Sequence, residues 1–333
     1  IMSIKNPYKV ITIKPTTGIA SKNIKELEEE TLNNLRNSKA NNTLRAYKSD
    51  YKDFTLFCSK NNFQSMPTQP KIMALYLTHL SKTLKYSTLK RRLASISILH
   101  KTKGHYIDTK HPIIMENMMG IKRTNGSNQK GKKPLLINDL KVLINAIHQS
   151  NEKDRRKIRD KALVLIGFSG GFRRNEIVSL DFDDLDFVTE GLKINIRRSK
   201  TDQFGEGLVK ALPYFDNPDY CPVVSLQKWI KISKISSGSI FRRFTKGSKL
   251  SENRLTDQTV ALLIKEYLKL TGIDSKNYSG HSLRSGFATS AAESGAEERS
   301  IMAMTGHKST EMVRRYIKEA NLFKNNALNK IKF

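Results

Sequence analysis

The chain has 333 residues, 38% hydrophobic and 27% charged, which is enough for two domains with separate cores. Lysine and arginine outnumber aspartate and glutamate 59 to 31, so the partner to expect is a polyanion, with nucleic acid ahead of an anionic membrane surface. No apolar run approaches the roughly 20 residues that span a bilayer, and the two cysteines, Cys58 and Cys221, are too far apart in sequence to suggest a disulfide framework or a thiolate metal centre.

Residues 1–22 carry Pro7, Pro15 and Gly18 without a sustained period and are expected to form a flexible arm. A helical domain is expected over 23–121. Leu44, Tyr47, Tyr51, Phe54 and Cys58 recur at helical steps while Arg45, Lys48 and Lys52 fall on other faces, giving an amphipathic helix with a basic outer side. Thr68 before Pro70 opens a second helix with Ile72, Leu75, Tyr76 and His79 on its apolar face. Ser87 is expected to cap a third, which carries Leu89, Leu93, Ile96 and His100 inward and Lys90, Arg91 and Arg92 outward. A shorter helix through Ile114 and Met118 completes the bundle.

From Lys122 to Pro134 the sequence is polar, basic, glycine-bearing and free of acidic residues, as an interdomain linker that tracks a phosphate backbone would be. The second domain, 135–318, reads as helices over about 138–149 and 156–168, then a small antiparallel sheet between Leu185 and Leu212, then helices over 222–232, 257–270, 283–294, 297–304 and 310–319. Residues 319–333 place Leu322, Phe323, Ala327, Leu328 and Ile331 at near-helical spacing, as a tail helix. The fold class is therefore mainly α with a small antiparallel β-sheet, in two domains. Candidate DNA contacts are Arg45, Lys48, Lys90, Arg91, Lys132, Arg242 and Arg243.

Four segments carry chemistry: Gly171-Phe172-Arg173-Arg174-Asn175-Glu176-Ile177, Gly280-His281-Ser282-Leu283-Arg284, Thr305-Gly306-His307 and Arg314-Arg315-Tyr316. A tyrosine oxygen can attack phosphorus and stay bonded to it while cationic and hydrogen-bonding groups stabilise charge on the phosphoryl oxygens. The seven histidines contain no i, i+4 pair and no HExxH arrangement, so no metal is expected in that chemistry. Two adjacent arginines suit a tyrosine facing phosphate better than one facing a core.

In order and spacing these segments resemble the tyrosine recombinase (phage integrase) family, from the linker to about residue 320 and more loosely in the helical N-terminal part. The resemblance implies a DNA clamp built from a core-binding domain and a mixed α/β catalytic domain. It makes Tyr316 the nucleophile, Arg173 and Arg284 the clamp on the non-bridging oxygens, and Glu176 the residue that orients Arg173. It makes His281 the proton acceptor or hydrogen-bond partner of the phenol, which ordinarily titrates near pH ~10. His307 becomes the phosphate's second histidine. Lys200, in Arg197-Arg198-Ser199-Lys200-Thr201, becomes the donor to the leaving 5′ oxygen.

The activity implied is site-specific DNA recombination through a 3′-phosphotyrosyl intermediate and a four-way junction, without cofactor. The partners implied are double-stranded DNA with recombination half-sites and further copies of the chain, two on a site and four in synapsis, with the tail exchanged between protomers. A cytoplasmic, nucleoid-associated protein of a bacterium or mobile element is expected. A DNA-relaxing enzyme of the type IB topoisomerase kind, or a non-catalytic DNA-binding regulator, would share the composition. Phe172 stands where the family usually has leucine, and Ser285 where many members have histidine.

Overall fold

The structure, a computed structural model, describes residues 26–27, 29–31, 33–34, 38–126, 131–197, 207–320 and 327–331. The arm read at 1–22 and Lys200 lie outside the described residues. The chain divides into two compact units between Lys130 and Gly131.

The first unit consists of helices α1 (Asn41–Lys60), α2 (Pro70–Ser81), α3 (Tyr86–Thr102) and α4 (Pro112–Asn125). Proline opens α2 and α4, where its missing N–H costs nothing and its fixed φ suits a first turn. Phe54, Cys58, Met73, Leu77, Leu89, Ile96 and Ile114 fill the core. Asp50 is buried in α1, where it accepts from the Ser95 hydroxyl at 2.8 Å and pairs with Arg91 of α3. Arg92 reaches Asp53 and the Tyr76 hydroxyl, which itself donates to Asp53 at 2.7 Å.

Three expectations change here. α2 buries Met73, Ala74, Tyr76, Leu77 and Leu80 and exposes Leu75 and His79, because apolar residues lie nearly all round this helix and spacing alone does not select the inner stripe. α3 begins at Tyr86 with Lys85 at its cap, so Ser87 sits inside the first turn. The segment read as a linker over 122–134 is structured at both ends. Residues 122–125 continue α4, and on the other side the Lys133 N–H donates to the Asn277 carbonyl at 2.8 Å. Polar composition does not end a helix while its backbone bonds continue, and Gly126 at φ +70 is what stops this one.

The second unit runs α5 (Ile137–Gln149), α6 (Asp154–Ser169), α7 (Arg174–Ser179), strands β1 (Leu185–Val188), β2 (Gly191–Ile196) and β3 (Leu208–Pro213), α8 (Pro222–Ser233), β4 (Arg242–Phe244), β5 (Leu250–Arg254), α9 (Asp257–Lys269), α10 (His281–Glu293), α11 (Glu298–Thr305) and α12 (Thr310–Ala320). Within α6 every residue from Ala162 to Ser169 is buried, which makes it the helix around which the rest assemble. The strands β1, β2 and β3 form an antiparallel sheet with Ile194 between Leu185 and Lys210. A second hairpin, β4 with β5, was not anticipated from sequence. Asp160 of α6, fully buried, binds Arg159 and accepts from the Tyr267 hydroxyl of α9 at 2.8 Å. Helix α10 lies so close to the residues before α5 that a Cβ on Gly286 would stand 1.9 Å from the Leu135 carbonyl oxygen. Among the described residues no helix is long and apolar enough to cross a membrane.

Candidate active site

The site starts at the end of α6. Phe172 N–H returns to the Gly167 carbonyl at 3.1 Å, Gly171 adopts φ +54, and a side chain on Gly170 would collide with the Phe172 ring. Glycine is required at this corner by both the positive φ and the close packing. The turn delivers Arg173 to the cap position of α7. Glu176, buried one turn later, accepts from the Arg173 main-chain N–H at 2.9 Å with one oxygen and from its guanidinium at 2.7 Å with the other. Both the backbone and the side chain of Arg173 are thus fixed by one carboxylate.

Arg284 projects from α10 and is fully buried. One Nη donates to the Gly171 carbonyl at 2.8 Å, so the second arginine holds the turn that presents the first. Its Nε and other Nη are buried with no hydrogen-bond partner among the described residues. Burial, then the like charge of Arg173, pull its pKa down to about 10, against the opposing pull of Glu176 and Tyr316. His281 opens the same helix and is exposed.

His307 follows Gly306, whose left-handed φ of +62 ends α11. Its Nδ1 shares a hydrogen bond of 2.7 Å with the Thr305 hydroxyl. Burial first, then the charges of Arg284, Arg173, His281 and Lys210, push it down to about 4, so the ring is neutral near pH 7. Its centroid lies 6.0 Å from that of Tyr316, half-buried on α12, at an interplanar angle of 36°. Tyr316 packs against the small cluster Ala288, Ala292, Ile301 and Val313. Arg173, Glu176, His281, Arg284, His307 and Tyr316, drawn from four separate segments, therefore share one electrostatic neighbourhood.

Lys210, which with Lys193 flanks the same hairpin as Lys200, is a further neighbour of the site. Lys210 on β3 is only 2% exposed and its Nζ donates to the Gly170 carbonyl at 2.5 Å. The signal was present in the alternation of Leu208, Lys210 and Leu212, which puts the lysine on the inner face of its strand.

The candidate DNA contacts divide. Arg45, Lys48, Lys90 and Arg243 are exposed. Lys132 is exposed and reaches the Lys276 carbonyl at 2.6 Å. Arg91 is bound to buried Asp50. Arg242 spends its guanidinium on the Ser239 and Ser237 carbonyls at 2.9 and 2.6 Å, so it shapes the turn before β4 instead of offering a free cation, as arginines bracketing a buried turn do.

A helical unit is followed by a mixed unit in which two arginines and two histidines gather near a tyrosine, the arrangement expected of an enzyme of the recombinase class. The chain belongs to the phage integrase family, whose model matches residues 135–322, and is a tyrosine recombinase, a DNA-binding enzyme of DNA recombination and integration. It is similar to an integrase/recombinase xerD homolog of Selenomonas ruminantium, 37% identical over 99% of this chain and 96% of the relative. The tyrosine recombinase XerC of Leptospira interrogans is 24% identical over 90% of each chain. Among solved structures, XerH recombinase bound to a palindromic difH substrate, a post-cleavage complex, shares the fold with a TM-score of 0.59 at 17% identity, over 78% of this chain and 73% of that one.

Proposed function

We propose that this chain recombines specific DNA sites by attack of the Tyr316 phenolic oxygen on a scissile phosphate, displacing a 5′-hydroxyl and leaving the tyrosine esterified as a 3′-phosphotyrosine. The 5′-hydroxyl of a partner duplex then attacks the ester and releases the tyrosine, so each bond broken is matched by one formed. Two rounds exchange the strands through a four-way junction. The enzyme's work is positioning and charge stabilisation. Arg173 and Arg284 take the non-bridging oxygens, Glu176 holds Arg173, and His281 receives the phenolic proton. His307 binds the phosphate beside the nucleophile. Lys200 protonates the departing 5′ oxygen.

One observation carries this reading. A fully buried guanidinium with two nitrogen donors that find no acceptor among the described residues, next to a second arginine and a tyrosine, is suited to cradle an anion. Among the described residues nothing accepts from those donors, whereas a phosphate would. The overall charge surplus and the exposed Arg45, Lys48, Lys90, Lys132 and Arg243 supply sequence-independent grip on the duplex. The palindromic substrate of the XerH complex supports two copies on paired half-sites here, and four in synapsis. Exchange of the tail after Lys318 between protomers links their sites.

The test is capture of the protein on nicked suicide DNA. Wild type is expected to give a covalent protein–DNA adduct and Tyr316→Phe none, while both bind the same DNA. Adduct formation by Tyr316→Phe, or its absence from wild type, would refute the reading. Relaxation of single duplexes without recombinant product would point to a topoisomerase instead.

A further inference from the structure

Lys210 is a buried cation to which the chemistry above gives no task. It cannot stand in for Lys200, the residue read as donor to the leaving oxygen, because its Nζ is turned inward onto the Gly170 carbonyl at 2.5 Å and lies 4.2 Å from the centroid of the Phe172 ring. The neighbouring carbonyl, that of Gly171, is held by Arg284 at 2.8 Å. Two cations from separate elements thus grip two successive carbonyls of a single turn, and the next residue but one after Gly171 is Arg173. On the far side of Arg173, Glu176 takes its N–H and guanidinium. The position of Arg173 is therefore set from below by Lys210 and Arg284 and from the side by Glu176. Phe172, where the family usually carries leucine, gives Lys210 an aromatic face that leucine would not offer.

We propose that Lys210, charged and seated on the Phe172 ring, is a positioning residue that fixes the Gly170–Phe172 turn and thereby sets the reach of Arg173 towards the scissile phosphate. The assignment rests on the phosphate-cradle reading of Arg173 and Arg284. The charged form matters because it strengthens both the bond to Gly170 and the contact with the ring. The ionisable groups that act on Lys210 are Glu176, which favours its charge, and Arg284 and Arg173, which oppose it; His307 stands within electrostatic range and is neutral. Burial first, with those arginines, lowers Lys210 to about 7, so unlike the guanidiniums it can exchange its proton under working conditions. A phosphate arriving among these cations favours the ammonium. DNA binding and protonation of Lys210 are then linked, and each strengthens the other.

The experiment compares wild type, Lys210→Met, Lys210→Arg and Phe172→Leu as full-length proteins, with single-turnover adduct formation on suicide DNA and DNA affinity both followed across the neutral range. Lys210→Met is expected to lose the pH-dependent part of the DNA affinity and, on saturating DNA, to cleave about 100-fold more slowly, the size of effect that a small misplacement of a catalytic group produces. The wild-type advantage over Lys210→Met is expected to shrink as pH rises and wild-type Lys210 loses its proton. Lys210→Arg, permanently charged, is expected to gain on wild type over the same range. Phe172→Leu is expected to move the wild-type midpoint to lower pH, since removing the ring weakens the ammonium. A Lys210→Met defect that is absent, or equally large at every pH, would overturn the proposal. Should Lys210→Met fail to fold by circular dichroism, an unmoved midpoint in Phe172→Leu would do the same. A wild type that forms no adduct at all would bring down the phosphotyrosine reading as well, which distinguishes the two failures.

Discussion

Arg284→Met removes a buried guanidinium while keeping much of its volume and its helix propensity. Among the described residues Arg284 makes a single hydrogen bond, to Gly171, and leaves two donor nitrogens unsatisfied. If those positions bind phosphate in the transition state, losing two charge-assisted bonds of about 1.5 to 3 kcal/mol each costs about 3 to 6 kcal/mol. That corresponds to roughly two to four powers of ten in cleavage rate. Stability moves differently. A guanidinium held at about 10 in the folded chain binds its proton less tightly than in the unfolded chain, so its charge opposes folding at every pH below that value. Freeing the core of it returns about 1 to 4 kcal/mol, and stranding the Gly171 carbonyl costs about 1 to 3 kcal/mol. The two nearly cancel, so Tm should stay within a few degrees of wild type. The assay pairs single-turnover adduct formation with thermal unfolding of the same preparation. A large fall in Tm that accounts for the lost activity would refute the reasoning and make Arg284 a structural tie.

Glu176→Gln keeps the shape but loses the charge that grips Arg173, and cleavage should fall at least about tenfold, the worth of one weakened charge-assisted bond, with DNA affinity little changed. Gly286→Ala drives a methyl group into the Leu135 carbonyl and should destabilise the second unit by about 1 to 3 kcal/mol in chemical denaturation, with a parallel loss of activity because Arg284 rides on the same helix. Folded His307 titrates near 4 against an ordinary 6.5, so between those values the unfolded chain holds a proton that the folded chain does not. Stability should therefore fall as pH drops from about 6.5 to 4, and His307→Gln should flatten that fall in thermal melts across the range.

Periodicity carried much of the helical framework. Leu89, Ile96 and His100 are all inward on α3 at the expected steps, and the helices that bear His281 and Tyr316 and the one that precedes His307 start and stop near their glycines and caps. What periodicity does not carry is the choice of face when a helix is apolar nearly all round, as in α2, or the partner that a polar residue finds far along the chain. Lys210 and the Gly170 carbonyl are 40 residues apart, and Arg284 and Gly171 are 113 apart. Such contacts follow from topology and leave only indirect traces in local pattern, such as the alternation of Leu208, Lys210 and Leu212. Arg242 shows the same limit from the other side, since a basic residue between aromatics looks like a DNA contact until its loop carbonyls come into view. Order and spacing of whole segments pointed to Arg173, Arg284, His307 and Tyr316 and to the Glu176 contact with Arg173, whereas the grip of Lys210 and Arg284 on the glycine turn was not legible.

The site draws its two halves from packing of very different depth. Arg173 and Arg284 are anchored beside the large core that includes Leu163, Ile166, Phe172 and Leu283, whereas the helix bearing Tyr316 leans on Ala288, Ala292, Ile301 and Val313. Displacing the nucleophile thus uncovers far less apolar surface than disturbing the anion cradle, and local opening follows the shallower packing. On the mechanism proposed above, that difference would let the attacking group move away while the phosphate grip stays in place, so that a bound copy could wait on DNA without cutting it.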